Sequence, residues 1–300
     1  MIHLENPYLS VGISEHGAEL CSLRSSSREY LWQGDPAYWG RHSPVLFPIV
    51  GSVYDKRFRA CGSTYAMGQH GFARDSDFGV VSHSNDEAWF RLAADERTLA
   101  VFPYDFTLEI GYRLEGRTLR VMWRVGNPSV SKVLPFQIGA HPAFYWPLHD
   151  EKDEAQRRGY FAFTLTGPHA DSPVLRSRKL AGKGCVDPQE TFDVALDSHQ
   201  MLPLAADTFD EIDTIILEGS QVNRVALCDT ERRPLLALSF SSPLVGLWSP
   251  PGKRAPFVCI EPWYGRCDRY GYEGEFANRD CMNRLEPGAT FVANYTIEVF

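Results

Sequence analysis

Phe106-Thr107-Leu108-Glu109-Ile110-Gly111-Tyr112-Arg113-Leu114-Glu115-Gly116-Arg117-Thr118-Leu119-Arg120-Val121-Met122-Trp123-Arg124-Val125 decides how the rest of the chain is read. Phe106, Leu108, Ile110, Tyr112 and Leu114 alternate with polar or small residues, Glu115-Gly116 supplies a turn, and Leu119, Val121, Trp123 and Val125 alternate again. Successive side chains of a strand point to opposite faces, so a period of two describes an antiparallel hairpin with one face buried and the other solvated. The same alternation closes the chain, where Phe291, Ala293, Tyr295, Ile297 and Val299 share a face.

Working outward, turn residues separate further short strands expected over residues 8–13, 18–23, 58–65 (either side of Gly62-Ser63), 89–92, 214–217, 222–228, 235–240 and 257–261. Between Arg41 and Gly51 runs an apolar segment bracketed by Pro44 and Pro48, and the missing amide donors argue against a central strand there. No window of helical length carries an apolar stripe of period 3.6, and the best local candidate, residues 151–158, is short and charged on all sides. Residues 176–187 read as the most loop-like segment. The expectation is an all-β, predominantly antiparallel fold, a large sandwich or barrel with few short helices, forming a single domain over residues 1–300.

Composition narrows the functional classes. A chain with 44% hydrophobic and 23% charged residues can bury a substantial core. A net charge of -8 lacks the basic footprint that nucleic acids or anionic membranes require, so neither is an expected partner. Residues 1–11 have neither a basic start nor a long apolar run, and no stretch reaches the length of a membrane span. The seven cysteines (21, 61, 185, 228, 259, 267, 281) are odd in number and form no C-x-x-C pair, which suits a reducing, cytoplasmic setting better than a disulfide framework or a structural zinc site. There is no G-x-S-x-G elbow, phosphate-binding glycine loop, G-x-G-x-x-G turn or H-E-x-x-H helix, so nucleotide chemistry and the familiar serine-hydrolase route have no support.

Three stretches carry the candidate chemistry. In Ile138-Gly139-Ala140-His141-Pro142-Ala143-Phe144 a histidine sits where an apolar strand gives way to a constrained loop, a setting suited to proton transfer and equally to a structural histidine. Glu261 follows the apolar strand Pro256-Phe257-Val258-Cys259-Ile260 and precedes Pro262-Trp263-Tyr264. Desolvation there would raise its pKa toward that of a general base, and an ion pair with Arg266 is the structural alternative. Gln69-His70-Gly71-Phe72-Ala73-Arg74-Asp75 packs an amide, an imidazole, a guanidinium and a carboxylate into one turn, as a polyhydroxylated ligand would require, or as a solvated loop with an internal Arg74–Asp75 contact would have it. Arg41 and Asp213 are weaker candidates, and His70, His141 and Glu261 together also spell a His₂Glu metal set.

At these residues the chain resembles the aldose 1-epimerase (galactose mutarotase) family, particularly its LacX-like branch. The resemblance rests on Arg41 with Ser43–Gly51, Gln69–Asp75, Tyr104-Asp105-Phe106, Pro135–Phe144, Asp213-Thr214-Ile215-Ile216, Trp248, Pro256–Gly265 and Leu285-Glu286-Pro287-Gly288, in family order. It implies a β-supersandwich, with His141 as general acid, Glu261 as general base and His70 as a second active-site histidine. It further implies Arg41 and Asp213 as residues binding sugar hydroxyls; Gln69 and Arg74 remain substrate-binding candidates on the residue types of their own turn. The implied reaction is ring opening and reclosure that interconverts α and β anomers of an aldohexose, with no metal or organic cofactor, in a monomer or homodimer whose partner is a small-molecule sugar. Three alternatives stand beside it: a hexose 6-phosphate mutarotase drawing on Arg41, Arg57 and Arg74, a non-catalytic carbohydrate-binding or sugar-sensing protein, and a metal-dependent enzyme using the His₂Glu set.

Overall fold

Thr107–Glu115 and Thr118–Gly126 form the hairpin, in register from Thr107↔Gly126 to Glu115↔Thr118, with Gly116-Arg117 as the turn. Leu108, Ile110, Tyr112, Leu114, Leu119, Val121, Trp123 and Val125 are all buried, each such side chain contributing roughly 1.5–3 kcal/mol of hydrophobic stabilisation where it is large and apolar. The opposite face is charged: Arg113 pairs with Glu87 and Arg120 with Glu115. This is a computed structural model describing residues 1–146, 157–170 and 172–300.

The hairpin lies inside a nine-stranded sheet whose spatial order is Met201–Ala205, Arg157–Leu165, Val222–Cys228, Pro234–Phe240, Thr290–Val299, Thr118–Gly126, Thr107–Glu115, Glu87–Ala93, Gly79–His83. A second sheet runs Cys185–Ala195, Val174–Gly182, Thr214–Glu218, Leu244–Trp248, Phe257–Tyr264, Ile138–Ala140, Val45–Leu46, with Ala143–Tyr145 also paired to Phe257–Tyr264. The ladders within both sheets are antiparallel. One apolar core takes residues from both, Leu108, Ile110, Val121 and Ile297 from the first and Ile215, Leu247, Val258 and Ile260 from the second. The fold is therefore an all-β sandwich of large antiparallel sheets.

Several boundaries differ from expectation. The segment 176–187 is not a loop: Val174–Gly182 and Cys185–Ala195 pair as a hairpin around Lys183-Gly184. The Pro-bracketed run contributes only Val45–Leu46, at the sheet's edge, where Pro44 and Pro48 leave no central ladder broken. The strand expected at 257–261 continues through Pro262 to Tyr264. Short strands at Ile2–Glu5, Leu134–Phe136, Met201–Ala205 and Asn283–Leu285 lack an alternation long enough to stand out. Glu96–Val101 is a six-residue helix opened by a capping box, Asp95 accepting from the Thr98 amide while Thr98 Oγ1 accepts from the Asp95 amide. The charged candidate at 151–158 lies, but for its last two residues, outside the described residues.

Candidate active site

The site is built on Phe257–Tyr264. Val258 and Ile260 enter the core between the sheets, so the pleat turns Phe257, Cys259, Glu261 and Trp263 to the other face. On one side this strand pairs continuously with Leu244–Trp248. On the other it meets two short strands, Ile138–Ala140 opposite Trp263 and Tyr264, and Ala143–Tyr145 opposite Phe257 to Cys259. The gap between them explains two residues. Ile260 donates its amide to the Pro142 carbonyl (3.3 Å), so the amide two residues on would point to the same side, and Pro262, having none, sits where no ladder partner awaits it. His141 occupies the gap itself, its amide donating to the Pro44 carbonyl (3.1 Å).

This brings His141 Nε2 to 3.2 Å from Glu261 Oε2. The carboxylate is 1% exposed, and beyond His141 its Oε2 has no hydrogen-bond partner; Arg266, its expected ion-pair partner, is instead committed to Glu218 and Asp280. Burial pushes the Glu261 carboxyl well above the ordinary value of 4.5, a shift partly offset by the nearby Trp263 indole and reinforced by the charge of Asp213. Burial likewise lowers His141 to about 3, with the positive charges of Arg74 and Arg41 adding to the effect and a bond to backbone opposing it. Both shifts favour a neutral pair carrying a single proton. The ion pair with the proton on His141 has the same net charge, and moving between the two requires only a transfer across 3.2 Å.

The surrounding ring contacts fix the imidazole. Trp39 stacks on His141 with centroids 4.8 Å apart, and Trp248 meets it edge-on at 5.4 Å. Trp39 is itself held by a bond from Trp32 Nε1 to its carbonyl (2.8 Å). His70 lies perpendicular to His141 at 5.5 Å, with a positive φ of 66°. Its Nδ1 accepts from the Gly51 amide (3.1 Å), so in the neutral ring the proton is on Nε2, a donor. Burial, followed by the neighbouring His141, Arg74 and Arg41, pushes His70 well below 6.5 and keeps it neutral.

A cavity of about 380 Å³ is lined by Gln69, His70, Arg74, His141, Asp213, Trp248 and Glu261, a size suited to a small ligand. Six of the seven site residues singled out from the sequence thus line one cavity. Arg41 does not: it stands behind, donating to Asp75 Oδ1 (2.7 Å), while its charge reaches both histidines. The buried Arg74 Nε makes only a long ion-pair contact with Asp75 (3.7 Å) and no hydrogen bond. Asp213, at φ 60° before its strand, is exposed and accepts from Thr214 Oγ1 (2.7 Å). Arg57 faces a different cavity, beside Tyr54 and Tyr272, so Arg41, Arg57 and Arg74 do not form one anion site.

Trp39, Trp263, Leu180 and Gly184 line the cavity without having been singled out as site residues. Trp39 directly precedes Gly40-Arg41, and its contact with His141 joins segments far apart in the chain, so nothing in the local sequence marked it. Leu180 and Gly184 belong to the hairpin read as a loop. Among the described residues two groups have potential metal-ligand atoms within 4.8 Å of one another: His141, Cys259 and Glu261, and Glu19, Cys21 and His42. His70 belongs to neither, so the His₂Glu set is not assembled.

The fold is that of the galactose mutarotase-like class of β-sandwich. The family model described as Aldose 1-epimerase matches residues 1–298, and the chain belongs to that family and is an isomerase. It is 30% identical over 272 residues to the plasmid-encoded Protein LacX of Lactococcus lactis subsp. lactis, covering 88% of this chain and 87% of the relative. A galactose mutarotase related enzyme from Lactobacillus acidophilus superposes with a TM-score of 0.88 at 32% identity, over 99% of this chain and 96% of that one. A galactose mutarotase-like protein from Lactobacillus casei ATCC 334 gives a TM-score of 0.90 at 32% identity, over the whole of both chains.

Proposed function

We propose that the protein is a mutarotase that interconverts the α and β anomers of an aldohexose, with Glu261 as base and His141 as acid. The observation that carries this is the buried His141–Glu261 contact of 3.2 Å at a cavity whose other polar groups are donors and acceptors for hydroxyls. Glu261 takes the proton of the anomeric hydroxyl while the imidazolium of His141 protonates the ring oxygen, and the ring opens to the aldehyde. The pair is then neutral, the form that burial already favours. After rotation about the C1–C2 bond, Glu261 returns its proton to the carbonyl oxygen as His141 takes one from the hydroxyl on C5, and the other face closes. The pair carries one proton throughout, so no charge enters or leaves a buried site during the cycle.

The other residues serve binding. His70 Nε2 offers a hydrogen bond near the ring oxygen, Gln69, Arg74 and Asp213 take hydroxyls, and Arg41 holds the charge balance from behind. A substrate carrying a phosphate would engage Arg74, whose Nε is free to donate. We read residues 1–300 as one domain because one core draws on both sheets. No helix among the described residues is long and apolar enough to cross a membrane. With all seven cysteines free, a cytoplasmic setting is the one we favour. Polarimetry of freshly dissolved α-glucose, α-galactose and glucose 6-phosphate, with chelator present, tests the reading. Relaxation faster than buffer on any of them supports it and ranks the substrates, and sugar binding without acceleration would favour a sensing role instead.

A further inference from the structure

We propose that His141, Glu261 and Cys259 capture a soft divalent cation, zinc being the type case, and that its capture switches the site off. The switching half of the proposal rests on the acid–base reading of His141 and Glu261; the capture itself does not. Cys259 and Glu261 are alternate residues of Phe257–Tyr264 and share a face, and His141 fills the gap opposite them. The Cys259 Sγ, a Glu261 carboxylate oxygen and an imidazole nitrogen of His141 all lie within 4.8 Å of one another, the last two at 3.2 Å. Tetrahedral zinc, with Zn–S of about 2.3 Å and Zn–N or Zn–O of about 2.0–2.2 Å, holds its ligand atoms roughly 3.3–3.8 Å apart, so a set already within 4.8 Å needs only a small contraction to close on the ion.

A second observation points the same way. Glu261 Oε2 is buried and, beyond its 3.2 Å contact with His141 Nε2, has no hydrogen-bond partner, which leaves it a free lone pair at the cavity wall. Cys259 is fully buried behind the pair, so a cation would arrive through the cavity by way of His141 and Glu261. On binding, the thiol proton and the single proton of the pair leave to solvent. One dication then meets one thiolate and one carboxylate, and the buried site stays neutral. That balance answers the desolvation cost which otherwise keeps both anions protonated. The fourth position faces the cavity and takes water or a sugar hydroxyl. With the Nε2 lone pair and the carboxylate both occupied, no proton remains for the ring oxygen. Magnesium, which prefers an octahedron of oxygens, has no such site here.

The test compares the full-length protein with Cys259→Ala and, as a second variant should that one fold poorly, Cys259→Ser. Equilibrium dialysis against zinc followed by elemental analysis should give one tightly held zinc per wild-type chain and at least about tenfold weaker binding in the variants. In parallel, zinc should stop wild-type mutarotation reversibly on chelation. The variants should turn over near the wild-type rate without metal and need at least about tenfold more zinc for the same inhibition. Magnesium should have no effect at equal concentration. Equal zinc binding and inhibition in wild type and variants would overturn the proposal. So would zinc binding that is lost in Cys21→Ser but kept in Cys259→Ala, since the ion would then sit with Glu19 and His42. If no sugar is turned over at all, the mutarotase reading fails, and the dialysis result alone still decides whether the cation site exists.

Discussion

At the scale of single residues, the His141–Glu261 pair makes two predictions with opposite effects on fitness. His141→Asn and Glu261→Gln each remove one proton carrier and are expected to lower kcat by about 10²–10⁴-fold with little change in KM, read by polarimetry. Full activity in either variant would take that residue out of the mechanism. Stability should move the other way for Glu261→Gln. A carboxyl whose folded pKa lies above its unfolded 4.5 binds its proton more tightly in the fold. That stabilisation is complete below pH 4.5 and is lost as pH rises through the folded value. Glutamine suffers no such loss, so the Tm difference between variant and wild type should grow with pH, reaching about 2 °C or more on the alkaline side. The pH profile follows from the same shifts. The pair gains a second proton only as pH falls toward the His141 value of about 3, and loses its one proton only above the raised Glu261 value. The profile of kcat/KM should therefore fall on the alkaline side, with its acid limb toward the His141 value of about 3; an acid limb near the ordinary histidine value of 6.5 would mean an unshifted histidine controls the rate.

At the scale of elements, the placing of Trp263 depends on glycine. A Cβ on Gly139 would come within 2.6 Å of the Trp263 ring, and one on Gly246 within 2.3 Å, so the indole beside Glu261 lies across two strands that have no side chain at those points. Gly139→Ala and Gly246→Ala should each destabilise by about 1–3 kcal/mol through overpacking, visible in urea unfolding, and should reduce activity by tilting the ring against Glu261. Wild-type behaviour in both would mean that the ring has room to shift. Elements also set how much was legible in the sequence. The hairpin around Gly116 was readable because one face is solvated, and polar residues mark every other position. Residues 176–187 were misread because Val174–Gly182 buries only Leu175 and Ser177, so Arg, Lys and Gly on both faces hide the alternation. His141, Glu261 and His70 could be picked out by type and neighbours. Trp39 could not, because its stacking on His141 joins two segments a hundred residues apart, which periodicity does not record.

At the scale of the whole molecule, the site is a product of sheets that cannot form piecemeal. Thr118–Gly126 pairs with Thr290–Val299, and Phe257–Tyr264, which carries Glu261, pairs with strands at 138–145, so neighbours in space are separated by more than a hundred residues of chain. Ile260 and Val258 point into the core that Leu108, Val121 and Ile297 line from the facing sheet, which leaves Glu261 on the reverse side of a strand anchored by that core. Loss of the facing sheet should then release the strand that holds Glu261. Urea unfolding followed by far-UV circular dichroism, by tryptophan fluorescence and by residual mutarotase activity is accordingly expected to give coincident midpoints. Tryptophan is a suitable probe because Trp123 reports on one sheet, while Trp263 and the stacked Trp39 report on the other and on the cavity. Activity lost well before either spectroscopic signal would mean that the cavity wall opens as a separate unit. The hairpin Val174–Ala195 would be the first place to look, since it reaches the cavity only through Leu180 and Gly184 and buries little behind them.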